Sequence, residues 1–348
     1  MKIQDDVHKD FVVKWNKALV DSNNDVTDGV YHAAGQEFLT KIENGAEFIK
    51  MVRYVEMDGE KADLNQLRVK PRLQNMQKVS SNGVLSQDIL TDLNETIPEF
   101  LKTVLTAVPL TAFTNIPKGF IKTNIEGDQF VNTYENLLAP KVGESADNVA
   151  IFGKTLQSGE TPGSGGVPAA QDGTLAMNGL LAQLDTIAAA SPAAGNPQGK
   201  GTKIYLDEIV NGLQSLIKEF LSQKGNITDA CILVDAVTLA EIRFAAAKRE
   251  TEGGDRFFFD SGEMTFDGVP IRHLKVLDTP ERGYGRVAIM LDPAAVAYGP
   301  VFEAESEAEY SVARKSYLTS IDYMFDVGIV FAEDVLYVEV GDTTPSGD

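Results

Sequence analysis

Residues 48–73 read FIKMVRYVEMDGEKADLNQLRVKPRL. One arm carries strand formers (Ile49, Val52, Tyr54, Val55), MDGE reverses the chain, and a second arm returns through Leu64, Leu67 and Val69. The pattern predicts a hairpin with an unusual charge load. Lys50, Arg53, Lys61, Arg68, Lys70 and Arg72 stand against Glu56, Asp58, Glu60 and Asp63. Neither face is apolar enough to sit on a core, and a lone two-stranded ribbon is marginal in water. Such a ribbon needs a partner.

The rest of the chain sets bounds on that partner. A length of 348 residues predicts two domains or subdomains, and 43% hydrophobic residues suffice for a sizeable core. With 51 acidic against 31 basic residues the formal charge is −20. A chain of that charge repels polyanions, and no basic patch of the kind nucleic-acid binders carry interrupts it. Cys231 sits within ACILV and reads as a buried small hydrophobe, without an internal disulfide partner. The N-terminus shows no signal-peptide pattern, and no run approaches the ~20 apolar residues of a membrane span.

Around the hairpin, residues 1–47 read as an arm. Asp21, Asn23 and Asp25 hint at a calcium loop, but Val26 and His32 stand where such a loop needs glycine and glutamate. LTDLNETIPEFLKTVL (90–105) suggests a short helix, followed by an extended, proline-punctuated stretch. Residues 125–152 carry the clearest helical spacing, with a kink or break expected at Pro140. SGETPGSGGVPAAQDG (158–173) reads as a mobile loop. Ile209, Leu213, Leu216, Ile217 and Phe220 form one stripe of a helix over 205–224. ACILVD is a buried strand, RVAIMLD a strand, AVTLAEIRFAAAKRET a helix, and Asp267-Gly268 turns a hairpin. In the tail Glu303, Glu305, Glu307 and Glu309 alternate along a strand, which puts four carboxylates on one face.

No catalytic constellation assembles from this sequence. His8, His32 and His273 are far apart and lack partner motifs, and no Cys/His pair has zinc spacing. GNPQGKGT (195–202) departs from the phosphate-loop spacing and follows no buried strand. No cofactor is implied. With the self-insufficient ribbon, this favours a protein whose work is association rather than catalysis.

The order of elements then becomes distinctive. A charged ribbon (VRYVEMDGEKADLNQLRV) is followed by a long helix led by NIEGDQFVNTYENLLA and an α/β middle carrying MNGLLAQLD. Then come MTFDGVPIRHLKVL, IMLDPAAVAYG, a glutamate-rich strand and SYLTSIDYMFDVGIVFAEDVLYVEV. From about residue 45 onward this layout resembles the major capsid protein of tailed bacteriophages, the Hong Kong 97-type α+β fold. The resemblance implies an N-arm at 1–47 and an extended E-loop hairpin at 48–78, lying over a neighbouring subunit. It implies a P-domain at 79–152 with its spine helix at 125–152, an A-domain at 153–295, and P-domain return strands with a C-terminal tail at 296–348. It further implies a non-enzymatic subunit that forms pentamers and hexamers around phage double-stranded DNA, contacted nonspecifically. A scaffolding protein and a portal would be partners, with a decoration protein as a further one and no membrane. The place of action would be the virion capsid, assembled in the host cytoplasm. On this reading Arg53, Arg68, Lys70 and Arg72 meet Glu303, Glu305, Glu307 and Glu309 of an adjacent subunit, with Glu56, Asp58, Glu60, Lys61 and Asp63 in the same contact region. Encapsulin shells, which share the fold, remain an alternative, as does an enzyme or ligand-binding protein with an unrecognised site.

Overall fold

The computed structural model describes residues 42, 44–68, 99–117, 130–164, 167–170, 172–190, 197–223, 225–247, 259–260, 263–301, 305–311 and 314–343. Of the predicted arm only residues 42 and 44–47 are among them, and the calcium-like loop lies outside. The chain divides into a body (1–62 and 105–348) and a smaller unit, Asp63–Val104.

The hairpin expected within 48–73 is not formed between its own arms. Its first arm is a helical turn, α1 (Phe48–Met51), followed by a two-residue strand, β1 (Arg53–Tyr54). Phe48, Ile49 and Val52 are buried. Three apolar side chains in five residues serve a helical turn on a core as well as a strand, and a distant cap decides the matter. The second arm is β2 (Lys61–Arg68), and its partner is β3 (Glu99–Thr106). The two-stranded ribbon is real but is closed by a segment far along the chain. The helix expected over 90–105 is therefore replaced by strand from Glu99 onward, where Phe100, Thr103 and Val104 favour pleated backbone.

In the body, one sheet is built on β14 (Ser316–Ile329). β4 (Val108–Pro117) pairs antiparallel along one side of it. β12 (Val296–Pro300) and β13 (Glu305–Ser311) pair in succession, also antiparallel, with its C- and N-terminal halves. β1 adds to β12 in parallel. Along β14 Ile321, Tyr323, Phe325 and Val327 are buried while Asp322, Met324 and Asp326 are not, the alternation of a half-buried strand. Tyr298, Tyr323 and Phe325 stack beneath it with centroids 5.2–5.7 Å apart.

Against this core lies the long helix α2 (Phe130–Phe152). It stays helical through Pro140, so the break expected there does not occur. Proline forfeits one amide donor, but Ala139, Val142, Ala146, Val149 and Phe152 are buried along the same side, and packing holds the helix together across the lost bond.

The second sheet runs β5 (Gly199–Lys200), β15 (Val335–Gly341), β11 (Val287–Leu291), β7 (Cys231–Val234), β10 (Val269–His273), β9 (Glu263–Phe266) and β8 (Phe259–Asp260), with β6 (Ile204–Tyr205) also on β15. β7 and β11 are buried at every position, as continuous apolar runs predict. Alternate residues feed two cores. Leu233, Ile289, Leu291 and Tyr337 face the core shared with α2 and α3 (Leu180–Ala189). Ile232, Val234, Met290 and Leu336 face α4 (Ile209–Ser222) and α5 (Ala236–Ala247). The predicted α4 stripe is buried at all five positions. Asp267 (φ 53°) and Gly268 (φ 81°) form the predicted turn between β9 and β10. β15, grouped in the sequence with the return strands, instead joins this second sheet.

Two loops are held by buried polar side chains. Arg282, with its side chain 2% exposed, donates to Lys154 O (3.1 Å) and Glu160 Oε2 (3.2 Å). The stretch read as mobile also closes on itself, Gly163 N donating to Val167 O and Pro168 O. Compositional reading saw the glycines and not the arginine more than 100 residues away. Gln223, 1% exposed, donates through Nε2 to Glu333 O (3.0 Å) and Val335 O (3.2 Å) and accepts from Gln198 N (2.9 Å). Gln223→Leu strips partners from these backbone groups and is expected to lower unfolding free energy by about 2–3 kcal/mol, read from the urea midpoint. An unchanged midpoint would show that water replaces the amide.

Candidate assembly surfaces

Of the charged residues singled out in the sequence, Arg53, Glu56, Asp58, Glu60, Lys61 and Asp63 are all exposed. Asp63 pairs with Lys102 across the ribbon at 2.7 Å, both about half exposed, a geometry that contributes little to stability. Arg68 ends β2, and Lys70, Arg72 and Glu303 lie outside the described residues. Glu305, Glu307 and Glu309 occupy register positions opposite Asp322, Ser320 and Leu318. In β4 the same row continues to Thr111, Phe113 and Asn115, so it belongs to the face away from buried Ile321. Among the described residues no strand pairing joins β1 to β13.

Sequence reading missed the chain's anchorage on either side of the ribbon unit. Met57 and Leu105 are buried, and a Cβ placed on Gly299 would fall within 3.0 Å of both. A larger residue in β12 would push these two side chains aside. Ala107 N donates to Glu60 O (2.8 Å) and Thr106 N to Asp326 Oδ2 (2.6 Å). Burial raises the Asp326 carboxyl above its ordinary value, against the two amides that donate to it.

A second unpredicted centre is Asp147 on α2. Its carboxylate accepts from Glu47 N (2.6 Å), Phe48 N (3.0 Å) and Ile49 N (2.9 Å), capping α1 from 98–100 residues away. Desolvation raises it to about 6 despite those donors, and Glu47 adds to the rise. Around it Glu47, Lys141, Glu144, Asn148 and Lys275 line a polar groove of about 350 Å³. Lys275 and Lys141 each sit 2.7 Å from Glu144 and hold its carboxyl below the usual range.

The chemistry-bearing residues are placed structurally. Burial pushes the Cys231 thiol up to about 11, opposite to a reactive thiolate. His273 Nε2 lies 3.0 Å from both Asp278 oxygens, and Asp278 also accepts from Ala236 N at the start of α5. Gly199–Lys200 is a strand on β15, and Lys200 pairs with Glu339 at 2.5 Å rather than framing a phosphate cradle. Tyr284 and Tyr337 both donate to Asp185, tying α3 to β15; burial first, and that carboxylate second, raise both phenols. Among the described residues no group of three or more His, Cys, Asp or Glu could hold a metal ion, and no helix is long and apolar enough to cross a membrane.

No family model and no curated protein matches this chain. Solved structures do. A chain of the satellite phage P4 procapsid including the size determination (Sid) protein matches with TM-score 0.59 at 10% identity, covering 97% of this chain and 99% of that one. This is a phage-capsid fold. The capsid of an empty GTA particle matches with TM-score 0.52 at 13% identity, over 85% of this chain and 90% of that one. A structure of Mycobacterium phage Adephagia gives 0.53 at 13%, over 86% and 92%. The likeness in fold extends over 85–97% of this chain in these three structures.

Proposed function

We propose that the chain is the major capsid protein of a tailed phage, a structural subunit that assembles through pentamers and hexamers into an icosahedral shell enclosing double-stranded DNA. The observation that carries this is the near end-to-end likeness to the P4 procapsid chain, with 97% and 99% of the two chains covered.

The ribbon unit acts as the E-loop. Its charged faces cannot build a core, and a neighbouring subunit supplies the missing surface. Arg53, Arg68, Lys70 and Arg72 meet the acidic row Glu303–Glu309 of that neighbour; β13 has one strand partner, β14, among the described residues. Charges of this kind set register and reject wrong partners more than they add affinity. The net charge of −20 keeps contact with packaged DNA weak and nonspecific. A separate scaffolding protein and a portal are the expected partners during assembly in the host cytoplasm, and the mature location is the virion.

Negative-stain electron microscopy of the purified full chain, with and without crowding agent, tests this reading. Closed shells or rings of five and six subunits are expected. A particle population that stays monomeric or dimeric under every condition would overturn it.

A further inference from the structure

Helix α5 is apolar on both sides. Thr238, Ile242 and Ala246 are buried in the core beneath it. On its outer side Val237 is 44% and Phe244 59% exposed, with Ala236 and Ala247 exposed beside them. Two large apolar side chains are thus left in solvent on a helix whose other side is already packed. Arg243 adjoins Phe244, is exposed, and makes no ion pair with any described carboxylate. Between α5 and the start of α4, a groove of about 360 Å³ is lined by Leu206, Val210 and Ala245 together with the acids Asp207, Glu208 and Glu241. Neither of those glutamates has an ion-pair partner among the described residues. The described residues therefore present an exposed aromatic beside a cation, and a groove of mixed lining whose acids carry the opposite sign.

We propose that this face is a contact between copies of the chain, with Phe244 and Arg243 of one copy entering the groove of the next beside Glu208 and Glu241. Charge complementarity identifies the occupant. Copies carrying −20 each repel one another, and a surface that places a cation against two anions offsets that repulsion where an apolar face alone would not. Burying Phe244 and Val237 supplies the association energy, and the Arg243 pairing sets which way round the copies meet. The inference rests on the shell-forming reading above and names one of its contacts.

The test uses the purified full chain, with assembly followed by light scattering and sedimentation across a concentration series. Arg243→Glu and Phe244→Ser are each expected to raise the concentration at half-assembly about tenfold or more, since like charges facing one another cost several kcal/mol. Both residues are exposed, so circular dichroism and thermal midpoints of the dispersed chain should stay at wild-type values. The triple exchange Arg243→Glu, Glu208→Arg, Glu241→Arg is expected to restore assembly, because it reverses both partners together. If the single variants assemble at the wild-type concentration, or if the triple exchange fails to recover what Arg243→Glu loses, the contact is wrong while the capsid reading stands. If wild-type protein itself never assembles, the capsid reading falls first.

Discussion

Gly143→Ala is expected to destabilise the dispersed chain by about 3 kcal/mol, near the upper end of what overpacking a core does. The sign is the informative part. In an ordinary helix interior the same change stabilises by about 0.5–1 kcal/mol, because glycine loses more backbone freedom on folding. Here a Cβ on Gly143 would fall within 3.0 Å of Ile42 O and Ala46 N. Both are backbone atoms of the segment that crosses α2, and backbone cannot rotate out of the way as a side chain can. Across the same crossing, a Cβ on Gly45 would fall within 3.0 Å of Pro140 Cα and O. The two glycines thus let two backbones touch, and the single-residue changes should combine non-additively because they share one contact. Gly59→Ala is the control: nothing lies within 4 Å of a Cβ there, and its effect should stay within about 0.5 kcal/mol. Urea unfolding of the three variants decides it. A Gly143→Ala chain as stable as wild type would mean that the segment rides clear of the helix.

This crossing also shows what the sequence could not tell. The α4 stripe, the Asp267-Gly268 turn and the strands β7 and β11 were legible because each is decided within a dozen residues. The glutamate row was legible as a strand for the same reason. By contrast, FIKM could be strand or helix, and the deciding group is Asp147, about 100 residues away. β2 pairs with β3 rather than with its near neighbour because a ribbon can close over a long connection as well as over a tight turn, and local pattern carries no information on which. Pro140 stays within α2 because the tertiary contact outweighs local propensity. The assembly residues divide along the same line. Their charge is visible in the sequence, but which charges already have partners among the described residues, as Asp63 does and Arg243 does not, emerges only from the folded chain.

Asp147 should make the stability of the body depend on pH in an unusual direction. Its carboxyl is raised from 3.8 to about 6, with burial the largest cause. A raised folded-state value means that the folded chain holds its proton more tightly than the unfolded chain between those two limits. The stabilising contribution is therefore complete below about pH 3.8 and is lost as pH rises through about 6. A shift of that size corresponds to roughly 3 kcal/mol in full, of which about 1.5 kcal/mol falls between pH 7 and pH 5. Most paired surface carboxylates act oppositely, losing stability as they protonate, so the comparison must isolate this one group. Asp147→Asn does so. The amide cannot titrate, and it turns one end of the cap from acceptor to donor against Glu47, Phe48 or Ile49, which should lower stability at pH 7 by about 1–3 kcal/mol. On moving from pH 7 to pH 5, the wild-type advantage over Asp147→Asn should then widen by about 1.5 kcal/mol. Parallel urea titrations at the two pH values measure that difference of differences. A gap that stays constant would mean that the three amide donors hold the carboxylate ionised, and that burial does not govern the cap. A gap that narrows would mean that those donors stabilise the anion by more than burial penalises it. In either case the pH dependence of the segment against α2 would have to come from the surrounding Glu144, Lys141 and Lys275 cluster instead.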